Sequence, residues 1–379
     1  MREVSFKMQV FVSQEALAAM LSLVTRAVGS GNINAALGGV LVRAEEGRLL
    51  LMATDMEMAI QGEVAATVDA GGTILLSARH LSELVRHFEA GTLELTDDGD
   101  GSARVRQGKR NFSLQVMDPE SFPELEEEGG AAFILPQREL RRMVRHVQAA
   151  LSKDTSPSRA VLTGAWYKQS GREIEMISSD GVRVAWAREE MKEELPGERE
   201  LVLPGRTLQE LDRVLSEEGT LRMSVGDRMI FVEVGAVTLA TRRMEENYPK
   251  VKEYLPKEYG VRRVVSRREL EKALERIFLI AREVETSPMD FALEEERVVL
   301  QTQTPQVGSG YEEVSAAGDG ASTEAKFNTR YLLEGVRVMT GEELQLEATE
   351  EGSALCLTPL ERPQYKYVVL PMRKERRRT

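Results

Sequence analysis

Arginines recur in this chain at a spacing suited to a polyanion. Arg79 and Arg86, Arg206 and Arg213, and Arg330 and Arg337 each stand seven residues apart. That is about two helical turns, so each pair falls on one helix face. The helix predicted from Gln137 to Lys153 carries Arg138, Arg141, Arg142, Arg145 and Lys153 against one acid, Glu139. Arg267 to Arg282 holds five basic residues against three glutamates. Guanidinium groups at helical spacing, with few base-reading amides, contact phosphates without reading sequence. The acids gather elsewhere, at 124–128, 189–200 and 294–296. The net charge of −12 therefore fits an exterior that repels nucleic acid and a shared basic face that holds it loosely.

Groups able to catalyse are sparse. His80, His87 and His146 all fall on predicted helices, and none has ligand spacing to another histidine or cysteine, which argues against a zinc site. No P-loop, dinucleotide glycine fingerprint or Gly-x-Ser-x-Gly elbow is present. Asp55 with Glu57, and Asp97 with Asp98 and Asp100, could hold a hard cation, but short acidic clusters at loop tips are usually solvated turns. Asp180-Gly181 reads first as a turn. A metal-dependent enzyme built on Asp55, Glu57 and Asp180 is the one catalytic alternative. The expectation is no enzyme, no catalytic residue, no metal and no cofactor. The single cysteine, Cys356, sits in an apolar run and reads as a small buried side chain in a reducing compartment. No apolar run reaches the roughly 20 residues of a membrane span. The start Met1–Lys7 lacks an apolar signal core. A cytoplasmic, nucleoid-associated location with no membrane partner is expected.

The arginine pairs belong to a phrase that occurs three times: Ser77-Ala78-Arg79-His80-Leu81, Pro204-Gly205-Arg206-Thr207-Leu208 and Asn328-Thr329-Arg330-Tyr331-Leu332. The offsets are 127 and 124 residues, close to a third of the chain, and such a period marks a repeated structural unit. Each third begins with a strand, a cap and an amphipathic helix. Ser13 and Ser266 are candidate N-caps, and Pro136 suits a first turn. Paired strands, a polar turn, the phrase with its second helix, and closing strands follow. Each third reads as two helices and about eight short strands, an α+β class with helices packed on antiparallel sheets. The domains expected are 1–128, 129–256 and 257–379, the last ending in a basic tail, 374–379.

With these residues assembled, the whole chain resembles the bacterial sliding clamp, the β subunit of DNA polymerase III. The resemblance rests on the threefold repeat, on Ser179-Asp180-Gly181-Val182-Arg183-Val184, on the stretch from Tyr248-Pro249 to Leu255-Pro256, and on the ending Tyr367-Val368-Val369-Leu370-Pro371-Met372-Arg373. It implies a head-to-tail homodimer closing a six-domain ring that encircles duplex DNA without sequence preference. Such a ring tethers the replicative polymerase, is opened by a clamp loader and serves other proteins carrying a clamp-binding motif. The resemblance places a partner-peptide cleft at Leu162, Ser179, Gly181, Val182, Arg183, Val184, Pro249, Tyr254, Val368, Val369, Pro371, Met372 and Arg373. It places the dimer contact at Phe112 and Leu114 against Leu279 and Ile280. The DNA-facing set comprises Arg26, Arg79, Arg86, Arg138, Arg141, Arg142, Arg145, Lys153, Arg206, Arg213, Arg330 and Arg337. The loop from Gly29 to Asn34 lacks an arginine found in some family members, which makes Arg26 the nearest substitute. A clamp-like paralogue acting as a scaffold or an inhibitor-insensitive substitute is the alternative function.

Overall fold

The computed structural model describes residues 7–29, 34–97, 99–123, 130–244, 247–305, 307–349 and 351–372. Among them each third of the chain forms two α-helices and eight strands. The helices are α1 (Gln14–Val24), α2 (Ala78–His87), α3 (Gln137–Gln148), α4 (Gly205–Val214), α5 (Arg267–Ala281) and α6 (Thr329–Val338). Every one starts directly from the strand before it, and side-chain caps fix several of those junctions. Ser13 accepts from the Ala16 amide, Ser266 from Glu269, and Asn328 from Arg330 and Tyr331, satisfying amides that the first helical turn leaves open. At α3 the cap position is Pro136, whose ring has no hydrogen-bond acceptor to offer. That helix also stops short of the expected stretch to Lys153. Beyond Gln148 the backbone turns away, and the Ser152 amide donates to the Leu162 carbonyl at 2.9 Å, leaving Lys153 exposed in a loop.

The strands form two twelve-stranded antiparallel sheets. One pairing rule joins the repeats. The fourth strand of the first repeat (Met58–Ala70) pairs with the eighth of the second (Val237–Arg242), from Met58↔Thr241 to Gly62↔Val237. The fourth strand of the second repeat (Arg183–Glu190) pairs in the same way with the eighth of the third (Tyr365–Val369), from Arg183↔Val369 to Ala187↔Tyr365. The two contact segments, 58–62 and 183–187, lie 125 residues apart. Because strands are lent forward in this way, the chain divides into two compact units, Met1–Leu135 with Thr220–Arg243, and Pro136–Gly219 with Met244–Thr379.

In the second unit, Leu270, Leu274 and Ile277 of α5 pack with Phe291, Leu300, Val336, Tyr367 and Val369 in one buried cluster. Helix α6 reaches the closing strand through Gly335, where a Cβ would lie 2.4 Å from the Tyr367 ring. Only a glycine permits that approach. His146 of α3 is fully buried edge-to-face on Tyr365, and its Nε2 lies 2.9 Å from the Lys366 carbonyl. Burial lowers its pKa to about 4, so the imidazole is neutral packing rather than a ligand. Cys356 is likewise buried.

Candidate partner cleft and nucleic-acid interface

The turn at Ser179–Arg183 is built by its own side chains. Ser179 Oγ accepts from the Gly181 amide at 3.0 Å and donates to the Arg183 carbonyl at 2.8 Å. Asp180 Oδ1 accepts from the amides of Val182 and Arg183 at 3.0 and 3.1 Å. Gly181 adopts φ +89°, a conformation open to glycine without strain. The first repeat makes the same turn: Thr54 bonds the Met58 carbonyl and the Met56 amide, and Asp55 accepts from Glu57 and Met58. Asp55 and Asp180 are thus equivalent turn-forming carboxylates in successive repeats. Among the described residues no group of three histidine, cysteine or acidic side chains is placed to hold a metal ion.

Contacts in the second unit tie this turn to the chain's end and to its neighbours. The Leu370 amide donates to the Val182 carbonyl at 2.8 Å, and Arg159 Nη2 donates to the Asp180 carbonyl at 3.1 Å. Leu162, half-buried, follows Arg159 in the turn Ala160–Thr163. Tyr248 is tucked in at Ser179, and burial raises its phenol pKa. Pro249 is exposed next to it, and the short turn Val251–Tyr254 presents Tyr254 at 81 % exposure. With Val182, Val184, Pro371 and Met372 these residues offer a partly apolar surface bounded by the turn and the closing strand.

Four expected cleft residues are buried: Arg183, Val369, Ser179 and, under Leu255 and Tyr259, Val368. Strand pleating alternates the faces, so Arg183 and Val369, a register pair, turn inward while Val184 and Val368 turn outward. Arg183 is 6 % exposed. Its guanidinium bonds Asp180 at 2.9 Å and the Tyr367 hydroxyl at 3.0 Å, pairs with Glu334, and stacks 4.1 Å from the Tyr331 ring. These contacts hold it on the helix side of the strand, beneath Val182 and Val184. Ser179 is buried too, its hydroxyl spent on the turn. Arg373 and the tail 374–379 lie outside the described residues, as does most of the loop that follows Gly29. Leu370, 40 % exposed, joins the rim; it sits inside the quoted ending and strand alternation marks it, yet it was absent from the expected set.

Helices α3, α4 and α6 line an open groove of about 630 Å³ that gathers Arg138, Arg141, Arg142, Arg145 and Arg337. Each ten-residue second helix sets an exposed arginine at its second and ninth positions: Arg79 and Arg86, Arg206 and Arg213, Arg330 and Arg337. Arg26 is exposed in the short turn after α1. The expectation of a plainly basic face needs one correction, because acids from the same helices, from neighbouring helices and from the turn after α4 reach these arginines. Asp212 meets Arg145 at 2.5 Å and Arg141 at 3.4 Å, and Glu217 meets Arg141 at 2.9 Å. Arg142 pairs with Glu139, Arg213 with Glu210, Arg337 with Glu275 and Arg79 with Glu83. The well-exposed pairs, Arg79–Glu83 and Arg337–Glu275, are worth about 0–1 kcal/mol each, little enough for another anion to compete with the carboxylate.

Exposed apolar side chains mark two further patches. In the first unit Phe112 is 47 % exposed, edge-to-face on Phe88 at 5.6 Å, with Leu114 half-buried on the same strand. In the second unit Leu279 on α5 is 56 % exposed, and Ile280 overhangs Gly310.

Three family models match in order along the chain: the N-terminal, central and C-terminal domains of the DNA polymerase III beta subunit, over residues 8–126, 134–250 and 252–373. The beta sliding clamp of Synechocystis sp. is 28 % identical, covering 97 % of this chain and 99 % of its own. That of Synechococcus elongatus is 29 % identical over 96 % and 99 %. The solved DNA polymerase sliding clamp of Bacillus subtilis superposes with TM-score 0.91 at 22 % identity, covering 98 % of this chain and 100 % of its own. The C. crescentus beta sliding clamp gives 0.88 at 25 %, over 97 % and 100 %. Three like domains of two helices on antiparallel sheets, a shared arginine-bearing helix position and these matches lead to one assignment: the chain belongs to the DNA polymerase III beta subunit family, the bacterial sliding clamps.

Proposed function

We propose that two copies of this chain join head to tail into a ring of six domains that encircles duplex DNA and tethers the replicative polymerase. The observation that carries this reading is the pairing rule between repeats. Fourth strands pair with the next repeat's eighth strand at 58–62 and 183–187, and the third repeat has the equivalent segment at 308–312, on the strand Gly308–Asp319. The first repeat's eighth strand, Arg110–Met117, pairs with its fifth strand only at Val116 and Met117, leaving an edge open at 110–115. A chain of three repeats, with domains drawn at 1–128, 129–256 and 257–379, therefore ends in one giving and one receiving edge. Unpaired edges seek a partner strand, and a heterologous contact that closes forms a ring rather than a filament. Phe112 and Leu114 flank one edge, and Leu279 and Ile280 the other.

The reading makes the chain a non-catalytic processivity factor that works at the nucleoid. The arginines of the second helices, with α3 and Arg26, hold phosphates without reading bases. The cleft around Val182, Val184, Tyr254, Leu370 and Met372 takes short peptides with leucine and phenylalanine anchors from the polymerase, the clamp loader and other clients. Mass in solution and retention on closed-circular against linear DNA test this. A dimer kept on circles and lost from linear ends is expected; a monomer, or equal loss from both DNAs, overturns the reading.

A further inference from the structure

The outer face of the second unit's sheet holds a recess that the cleft does not use. Trp186 and Lys366 are a register pair, two residues along from Val184 and Val368, which is about 7 Å by strand geometry. The segment from Leu255 to Tyr259 walls the other side, and the recess measures about 520 Å³. Its floor is apolar: Leu255 and Tyr259 pack on the cluster of Ala354, Cys356 and Val368. Its rim is basic, with Lys252, Lys257, Arg262 and Lys366 against the acids Glu258 and Glu347. That excess of cations stands out in a chain of net charge −12. Two of the cations are engaged, since Lys252 pairs with Glu175 and lies 4.5 Å from the Trp186 ring, and Arg262 pairs with Glu347 at 3.2 Å. Lys257 and Lys366 have no carboxylate partner among the described residues. Lys366 instead lies 5.8 Å from the Trp186 ring.

We propose that this recess is an anionic extension of the partner cleft. It receives an aspartate or glutamate of a bound peptide, two or three residues beyond the apolar anchors. The carboxylate pairs with Lys366 and Lys257, and the side-chain methylenes lie on Trp186. Charge complementarity selects an acidic segment, and Val368, which lines the recess, is the register partner of Val184 in the cleft. A nucleic-acid occupant is disfavoured by position, because strand alternation puts Trp186, Lys366 and Val368 on the face away from α3 and α6, which carry the arginine groove. The proposal rests on the cleft being a peptide site.

The test is fluorescence anisotropy with two labelled peptides sharing leucine and phenylalanine anchors, one flanked by two aspartates and one by two alanines. They are titrated into the full-length protein and into the variant K257A/K366A at low salt. The aspartate peptide should bind the unmodified protein roughly 3–10-fold tighter, the range expected of one or two exposed ion pairs. The ratio should fall to about one in the variant, whose affinity for the alanine peptide is unchanged. Equal affinities in the unmodified protein, or a preference that survives in the variant, overturn the proposal. So does loss of the preference only when a short oligonucleotide competes, which would assign the lysines to nucleic acid. Failure of both peptides to bind overturns the cleft reading itself, and the extension with it.

Discussion

A guanidinium contributes to phosphate binding only as far as its neighbours leave it available. Asp212 holds both Arg141 and Arg145 in the groove of the second unit, so on the proposed reading it limits how much of that charge is open to DNA. Replacing it in Asp212→Asn should tighten duplex binding and steepen the dependence of log K on log salt by about one, as for one added phosphate contact. Binding titrations from low to moderate salt read this out, and an unchanged slope would place the two arginines outside the DNA contact. His146 makes a different residue-scale statement. Its folded pKa of about 4 lies below the ordinary 6.5, so between those values the unfolded chain binds the extra proton. Stability therefore falls as pH drops through that window, by about 3 kcal/mol at its foot. Urea unfolding at pH 7 and pH 4 should show His146→Gln losing less stability on acidification than the unmodified protein. Equal losses would contradict the assignment.

The elements meet at backbone distances that leave little room for change. Helix α6 touches the closing strand where Gly335 faces the Tyr367 ring, and the Tyr367 hydroxyl accepts from Arg183 beneath the cleft. Gly335→Ala should push Tyr367 aside, at a cost of about 1–3 kcal/mol for an overpacked core. Peptide affinity should fall along with melting temperature, since the displaced ring carries Arg183 with it. If stability drops while peptide affinity holds, the floor and the cleft are mechanically independent. Much of this level was legible in the chain: the three arginine-bearing helices fall at the repeated phrase, and Ser13 and Ser266 cap as expected. The inward turn of Arg183 and Val369 was not legible from the resemblance, although strand alternation predicts it once the register with Tyr365–Val369 is known. Some of the carboxylates that answer the arginines sit one turn away on the same helix, as Glu83, Glu139 and Glu210 do, but Asp212, Glu217 and Glu275 come from distant segments, so no local pattern shows them. Asp212 is 67 residues from Arg145.

At the scale of the molecule, the proposed assembly turns on edge pairing. Phe112 and Leu279 are exposed in the isolated chain, so charging them should leave each fold intact. The doubly substituted Phe112→Glu and Leu279→Glu protein should melt within a few degrees of the original and weaken dimerisation at least tenfold, because like charges would then meet across a desolvated contact. Sedimentation over a concentration series would show it, and a dimer of unchanged strength would move the interface elsewhere.

The sequence by itself determined the threefold repeat, the count of helices and strands, the seven-residue arginine spacing and the family, because all of these are periodic or local and survive as pattern. Only the tertiary structure decided which strand lends itself to which repeat, since Met58–Gly62 meets partners some 180 residues further on and hydrogen bonding between backbones leaves no mark in residue identity. It also decided which arginines carry carboxylates, and that Trp186 and Lys366 open beside Val368, because those outcomes depend on which pleat faces outward and on what folds back over it.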